Sequence, residues 1–580
     1  MRSERSGQRV AARNLCARRT FARVWLLALT LCSGAACAQG SLQDLGKLSL
    51  QDLGRIVVTS VAKRPESLGN APAAVYVITR DEIIRSGAQS LPEMLRLAPN
   101  LQVFQTSPST WVVTARGFAG SPGAENMSNK LLVLIDGRSV YNPLFSGMYW
   151  EMQDVLPEDI DRIEVISGPG AALWGANAVN GVINIITRPS SETRSALVDV
   201  GAGNQYSSLA LQYGGAIGPD ASYRIYGKTL YGQSFDAPDG SDARDGWSKQ
   251  QAGFRVDWAP GGDRVTFEGD LFNGRQHQGS SPDQLISGGD LQSSWRRTFA
   301  DDSSLQVLAW YDRVHKMADP HDGGFTIDTF DVELQHDFSL GSWNRVVWGA
   351  GERRSRFQIV NAISPAETFA FFPAQFDLNV SNIFVQDQMT PGQHFALTLG
   401  IKLENDPYSG STPMPSVRAA WTFDNHATLW VAASRAIRAP TPLDTSVDQK
   451  IGLIDFLKGN PDFAPEKLTA YEIGYRQQVS SRASFSVSVF DDHYDDLKTV
   501  ELAPLTGFPL FFGNRMQGSV YGMEAWASYQ PLDWWRLSAG VYLQHRSLRF
   551  DADSDSPLGL WQAGDDPSHQ AFIRSSMNLG

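Results

Sequence analysis

Beyond residue 190 the chain is patterned in twos. Between Ser484 and Phe490, the side chains of Phe485, Val487 and Val489 fall on one face and Ser484, Ser486 and Ser488 on the other. Trp535, Leu537, Ala539, Val541 and Leu543 likewise oppose Arg536, Ser538, Gly540 and Gln544, and Ile225 and Tyr231 oppose Ser222, Arg224 and Lys228. Successive side chains of a strand point to opposite sheet faces, so this spacing predicts strands with one apolar and one polar face. Alternating segments of about ten residues, with aromatic residues near their ends, are the pattern of a transmembrane antiparallel β-barrel. Trp258, Trp343, Trp421 and Trp534 supply those aromatic ends. A soluble propeller would repeat at a fixed period, and none is present. Residues 259–263 and 532–534 read as short turns on one rim. Residues 273–290, 439–466, 498–517 and 548–567 read as long loops on the other.

Residues 73–188 mix periods and predict an α+β domain of ordinary size, about 120 residues. Val75–Thr79, Val112–Arg116 and Leu131–Ile135 read as strands, with helices over 81–86 and 90–98 capped by Thr79 and Ser90. The stretch DIDRIEVISGPGAALWGANAVNGVINIITR, residues 159–188, gives two further strands around a glycine-rich bend. On its residues alone the bend fits either close backbone packing or a turn.

Charged residues make up 19% of the 580-residue chain and the net charge is −12, which argues against a nucleic-acid partner. All three cysteines (Cys16, Cys32, Cys37) lie in the first 40 residues, so no disulfide, thiolate metal site or cysteine nucleophile is expected beyond them. Seven arginines, an apolar run from Val24 to Leu31 and the small-x-small site Ala36-Cys37-Ala38 predict a signal peptide over 1–38. No later apolar run reaches the roughly 18 residues of a membrane helix. Next come a tether with the repeat SLQDLGK/SLQDLGR and the extended pentapeptide Ile56-Val57-Val58-Thr59-Ser60. The pentapeptide is either an edge strand or a segment kept free for a partner to pair with.

No enzyme is expected: H-E-x-x-H, G-x-S-x-G and P-loop patterns are missing from the sequence. No cofactor or metal ligand set is expected either. Asp551, Asp553 and Asp555 alternate like a calcium loop, but Ser556 stands where glycine is required and Gln562 where the final glutamate should be.

Several short motifs, in order, carry a resemblance. They are Arg116-Gly117-Phe118, Leu134-Ile135-Asp136-Gly137, Arg162-Ile163-Glu164-Val165 with Gly168-Pro169, Leu173-Trp174-Gly175 and Gly181-Val182-Ile183-Asn184. Arg438-Ala439-Pro440, Asn460-Pro461 and Tyr471-Glu472-Ile473-Gly474-Tyr475 follow. Together they resemble a TonB-dependent outer-membrane receptor over essentially the whole chain. The resemblance implies a plug (65–190) inside a 22-stranded barrel (191–580), preceded by a periplasmic tether (39–64) in which Ile56, Val57, Val58, Thr59 and Ser60 form the TonB box. It implies active import of a siderophore or similar large scarce nutrient, with TonB adding to the box as a strand and pulling. The partners would be TonB, outer-membrane lipid and the ligand, with the receptor a monomer. Cobalamin or oligosaccharide receptors of the same fold, and a passive porin or adhesin, remain alternatives. Haem is disfavoured, because the interval 441–459 lacks the histidine that haem receptors carry there.

Two departures from the family pattern matter. Ser167 stands where a basic residue often precedes Gly-Pro, so any ionic lock between plug and barrel falls to Arg116 and Arg162, with Glu472 and Glu524 as partners. About 18 alternating segments precede Gly580, which predicts a C-terminally truncated barrel lacking about four strands. Candidate ligand contacts are the plug residues Gln105, Trp111, Tyr141, Phe145, Tyr149 and Trp150; packing of plug against wall accounts for these aromatics equally well.

Overall fold

A computed structural model of the chain describes residues 56–120, 128–279, 281–318, 323–423 and 427–579. The expected signal peptide and leucine repeat lie outside the described residues.

Among the described residues the plug has nine strands: β1 (Val57–Val58), β2 (Glu66–Ser67), β3 (Ala74–Thr79), β4 (Gln102–Gln105), β5 (Trp111–Thr114), β6 (Leu131–Ile135), β7 (Arg138–Ser139), β8 (Ile160–Ser167) and β9 (Gly181–Thr187). Five of them form one mixed sheet in the order β3-β8-β9-β6-β7, with β6 and β9 parallel. Both faces of this sheet are covered, and the alternation sorts side chains between two cores. Leu131, Val133, Ile163, Val165, Ile183 and Ile185 join one core, with Ile83, Met94 and Leu95 from the helices Arg80–Ser86 and Leu91–Leu95. Leu132, Leu134, Ile166 and Val182 join the other, which also contains Val58, Val61 and Ala73. The first helix starts where expected: Thr79 Oγ1 accepts from Glu82 N (3.3 Å), and the Glu82 carboxylate accepts from Thr79 N (2.9 Å), a reciprocal cap.

From Ser195 to Met577 the described residues form a second large sheet of 22 strands. Four of these are short loop strands (Ala362–Ile363, Glu367–Phe371, Val447–Ile451, Ile454–Lys458), and the other 18 run antiparallel, each to the next, as the sequence pattern anticipates. Among the described residues Ser195–Ala202 and His569–Met577, the outermost strands, are each paired on one side only. The wall is apolar outside and polar inside: Ile225 and Tyr231 are 52% and 49% exposed, while Arg224 and Lys228 on the opposite face are 4% and 6%. Only a lipid surround makes that distribution favourable. Trp258, Trp343, Trp421 and Trp534 are all exposed and all lie at the short-turn rim. Among the described residues no helix is long and apolar enough to cross a membrane.

Two expected loops are largely strand. The pair Asp263–Gln278 and Ser281–Thr298 continues its ladder through residues 273–290, and Ala483–Ala503 pairs with Gly507–Leu532 through most of 498–517. Strands that project past the membrane are polar on both faces, so their sequence reads as loop. The interval 439–466 holds a short helix, Pro442–Ser446, and two of the loop strands.

Candidate functional site

One fully buried arginine of the plug binds three carboxylates of the wall. Arg116 follows β5 in a turn where Arg116, Gly117 and Phe118 have φ of 54°, 87° and 66°. Left-handed backbone costs a non-glycine residue about 1–2 kcal/mol and persists only where surrounding contacts impose it. Here the guanidinium is fully buried, with Nη2 2.8 Å from Glu472, Nε 3.1 Å from Glu524 and Nη1 3.5 Å from Asp492. These carboxylates come from three adjacent wall strands, and Arg116 also lies 4.1 Å above the Phe490 ring. Burial by itself would lower the guanidinium pKa; the Glu524, Asp492 and Glu472 carboxylates outweigh it and raise the pKa well above its ordinary value. Gly168 (φ 85°) lies beneath this group. A Cβ there would stand 2.8 Å from Arg116 Nη1, which is why the bend requires glycine.

Among the described residues, Arg162, the other arginine expected in the lock, has no ion pair with the wall. It pairs within the plug, 2.5 Å from Asp161 and 2.9 Å from Glu164, because Glu164 lies two residues along β8 on the same face. Ser167 Oγ instead accepts from Asn100 Nδ2 at 2.8 Å. Other plug cations do reach the wall: Arg138 lies 2.8 Å from Asp290 and 2.9 Å from Asp312, Lys63 lies 2.5 Å from Glu333, and Lys130 pairs with Glu466. Sequence reasoning missed these, together with Asp492. Inward-facing acids on consecutive strands are the one signal that could have found them, since Asp270, Asp290 and Asp312 stand directly opposite one another across the ladder.

At the short-turn rim, Val57 and Val58 pair with Ser67 and Glu66 as the antiparallel ladder β1–β2. Val58 is fully buried in the plug's second core. Thr59 and Ser60 lie against β8, and Ile56 O accepts from Leu68 N at 2.8 Å.

The candidate ligand residues separate into three groups. Trp111 and Trp150 are buried in the plug's own core, and the large apolar area of each ring accounts for that placement. Gln105 donates to Tyr206 OH (2.8 Å), and Tyr141 OH donates to Asn129 O (3.0 Å). Phe145 and Tyr149 meet at the long-loop rim, with ring centroids 6.1 Å apart and with Phe325 5.5 and 5.9 Å away. Two lysines belong to this cluster. Lys316 lies 4.7 Å over Tyr149, and the buried Lys249 lies 4.8 Å over Phe272 with no hydrogen-bond partner for Nζ among the described residues. A cavity of about 400 Å³ between plug and wall is lined by Thr59, Lys63 and Arg64 at one end and by Tyr141, Tyr149 and Tyr408 at the other.

Comparison with known proteins matches this arrangement. Residues 67–182 match the TonB-dependent receptor plug domain, and residues 189–573 match the TonB-dependent receptor-like β-barrel. The chain is 23% identical over 539 residues to an iron-regulated outer membrane virulence protein of Vibrio cholerae, covering 87% of this chain and 79% of that one. It is 34% identical over 149 residues to the vitamin B12 transporter BtuB of Vibrio vulnificus, covering 26% and 23% of the two. The crystal structure of the siderophore receptor PirA from Acinetobacter baumannii superposes with a TM-score of 0.69 at 17% identity, covering 88% of this chain and 84% of that one. The chain belongs to the TonB-dependent receptors of the Gram-negative outer membrane, a family of plugged β-barrel transporters and not of enzymes.

Proposed function

We propose that this receptor actively imports a ferric siderophore or a similarly large, scarce chelate, energised by TonB through strand addition to Ile56–Ser60. The observation that carries this reading is the pinned plug. A passive pore has no use for a lumen held shut through a fully buried arginine and three carboxylates, whereas an energised gate requires one. The mouth supports the ligand class. Lys249 over the Phe272 face suits a bulky ligand that is both anionic and flat-ringed, whereas Lys316 is already paired with Glu151 at 2.8 Å. The relative named for iron regulation and the structural neighbour named as a siderophore receptor point the same way.

Cobalamin is the second reading, favoured by the partial match to vitamin B12 transporters. Growth of a receptor-deficient host carrying this gene separates the two. Under iron limitation it should be rescued by one member of a siderophore panel. Rescue of cobalamin-limited growth, with no siderophore rescuing iron-limited growth, would replace the siderophore reading.

A further inference from the structure

We propose that Glu164 is the latch that keeps the TonB-pairing segment shut, acting by occupying the backbone donors that strand addition needs. The proposal rests on the reading of Ile56–Ser60 as the TonB box. An added strand gains its affinity from main-chain hydrogen bonds to an open edge. In this structure that edge is already engaged. Val57 and Val58 are laddered to β2. The N–H groups of Thr59 and Ser60 both donate to Glu164 Oε2, at 3.0 and 2.9 Å, and Ser60 Oγ donates to the same oxygen at 2.6 Å. Ser60 is held from its other sides by Trp174 Nε1 on its carbonyl (2.8 Å) and by Asn184 Nδ2 on its hydroxyl (3.0 Å).

The Glu164 carboxylate is fully buried, and hydrogen bonds to an ionised acceptor are about twice as strong as neutral ones. Backbone donors bound to it are therefore withheld from a neutral strand offered in competition. The latch is also built to reopen. Arg162 donates to Glu164 Oε1 at 2.9 Å, so departure of the segment leaves the carboxylate paired and not stranded as a lone buried charge. This gives Arg162 a role that its absence from the wall lock leaves open. Thr59 and Arg162 both line the 400 Å³ cavity, which leaves room beside the segment for its backbone to move. Three residues beyond Glu164, β8 ends at Ser167, and the next residue, Gly168, packs against the Arg116 guanidinium. One short strand and the glycine that follows it therefore carry both the latch and the floor of the lock.

The test uses the full receptor in detergent or in outer-membrane vesicles, without ligand, and the periplasmic part of TonB as probe. Glu164→Gln keeps the shape, removes the charge and turns one acceptor into a donor facing Ser60 N–H. TonB binding to the ligand-free receptor should tighten about tenfold or more, the equivalent of one charge-assisted hydrogen bond lost from the closed state. Val58→Pro, which cannot offer a full strand edge, should abolish binding in both the wild-type and Glu164→Gln backgrounds. If Val58→Pro leaves TonB binding intact, the box reading fails and takes the latch with it. If Val58→Pro abolishes binding but Glu164→Gln binds TonB no better than wild type, the box reading survives and the latch is overturned. Should Glu164→Gln not assemble, Ser60→Ala removes the Glu164 and Asn184 side-chain bonds more gently and must shift affinity in the same direction; an unchanged affinity overturns the latch. A residue serving only stability would lower the melting temperature without making TonB binding ligand-independent.

Discussion

Arg116→Ala should undock the plug. Wild-type Arg116 pairs with three carboxylates inside a buried interface, and its removal leaves Glu472, Asp492 and Glu524 facing one another without that ion-pair partner. Breaking a buried ion pair by deleting one partner costs about 3–5 kcal/mol. Alanine keeps a Cβ in the same left-handed backbone (φ 54°), so no relief of strain offsets that loss. At about 1.4 kcal/mol per tenfold, the docking equilibrium falls by roughly 10² to 10⁴. In calorimetry of the purified receptor, the plug transition should separate from the barrel transition and drop by about 10 °C or more, given a plug of about 120 residues. Planar bilayers should show conductance steps that wild type lacks. Arg116→Lys, a point charge unable to bridge three acids, should fall between the two. A plug transition within about 2 °C of wild type, with silent bilayers, would refute the claim that this cluster holds the gate.

Three further outcomes follow from particular contacts. Glu66, on the strand that pairs with β1, has Oε1 buried without a hydrogen-bond partner among the described residues, and burial pushes its pKa from 4.5 to about 7, against the opposing fields of Arg64, Arg418 and Arg476 and with that of Glu164. An undocked Glu66 loses its proton near pH 4.5 and a docked one near 7, so docking of 56–67 should weaken as pH rises through that window and level off above it. Spin-label mobility at Val57 should follow this curve, and Glu66→Gln should flatten it. Gly181→Ala places a Cβ 2.6 Å from Ile166 O, a backbone atom, and should cost the plug sheet about 1–3 kcal/mol in denaturant melts, with the barrel unaffected. Lys249→Met keeps the aliphatic stem over Phe272 and removes the ammonium; ligand affinity by titration calorimetry should fall about 10- to 100-fold with the barrel melt unchanged.

What could be read from the sequence was what local physics decides. The strand Leu131–Ile135, the cap at Thr79, and the inward Arg224 and Lys228 set against outward Ile225 and Tyr231 are all short-range patterns. Partnerships across hundreds of residues were not legible in the same way. Arg116 and Glu472 could be named through family motifs, but Asp492 joins them only because the register sets Ala470 opposite it, and no spacing along the chain announces that register. Arg162 went to its strand neighbour Glu164 because a cation two residues from an acid on one strand face needs no distant partner. Trp111 and Trp150 looked like mouth residues because an aromatic on a plug loop and one in a plug core have the same sequence signature. The projecting strands through 273–290 and 498–517 read as loops because above the membrane neither face has to be apolar.

The central claim is that this barrel is an energised importer whose plug opens only when TonB engages residues 56–60. The most direct measurement is uptake of labelled ligand by cells producing the receptor, with surface binding measured in parallel. Saturable uptake should vanish on deletion of TonB, on collapse of the proton gradient and with Val58→Pro, while surface binding remains. Uptake that continues through all three would mean that the ligand crosses without the gate, and the account would be wrong.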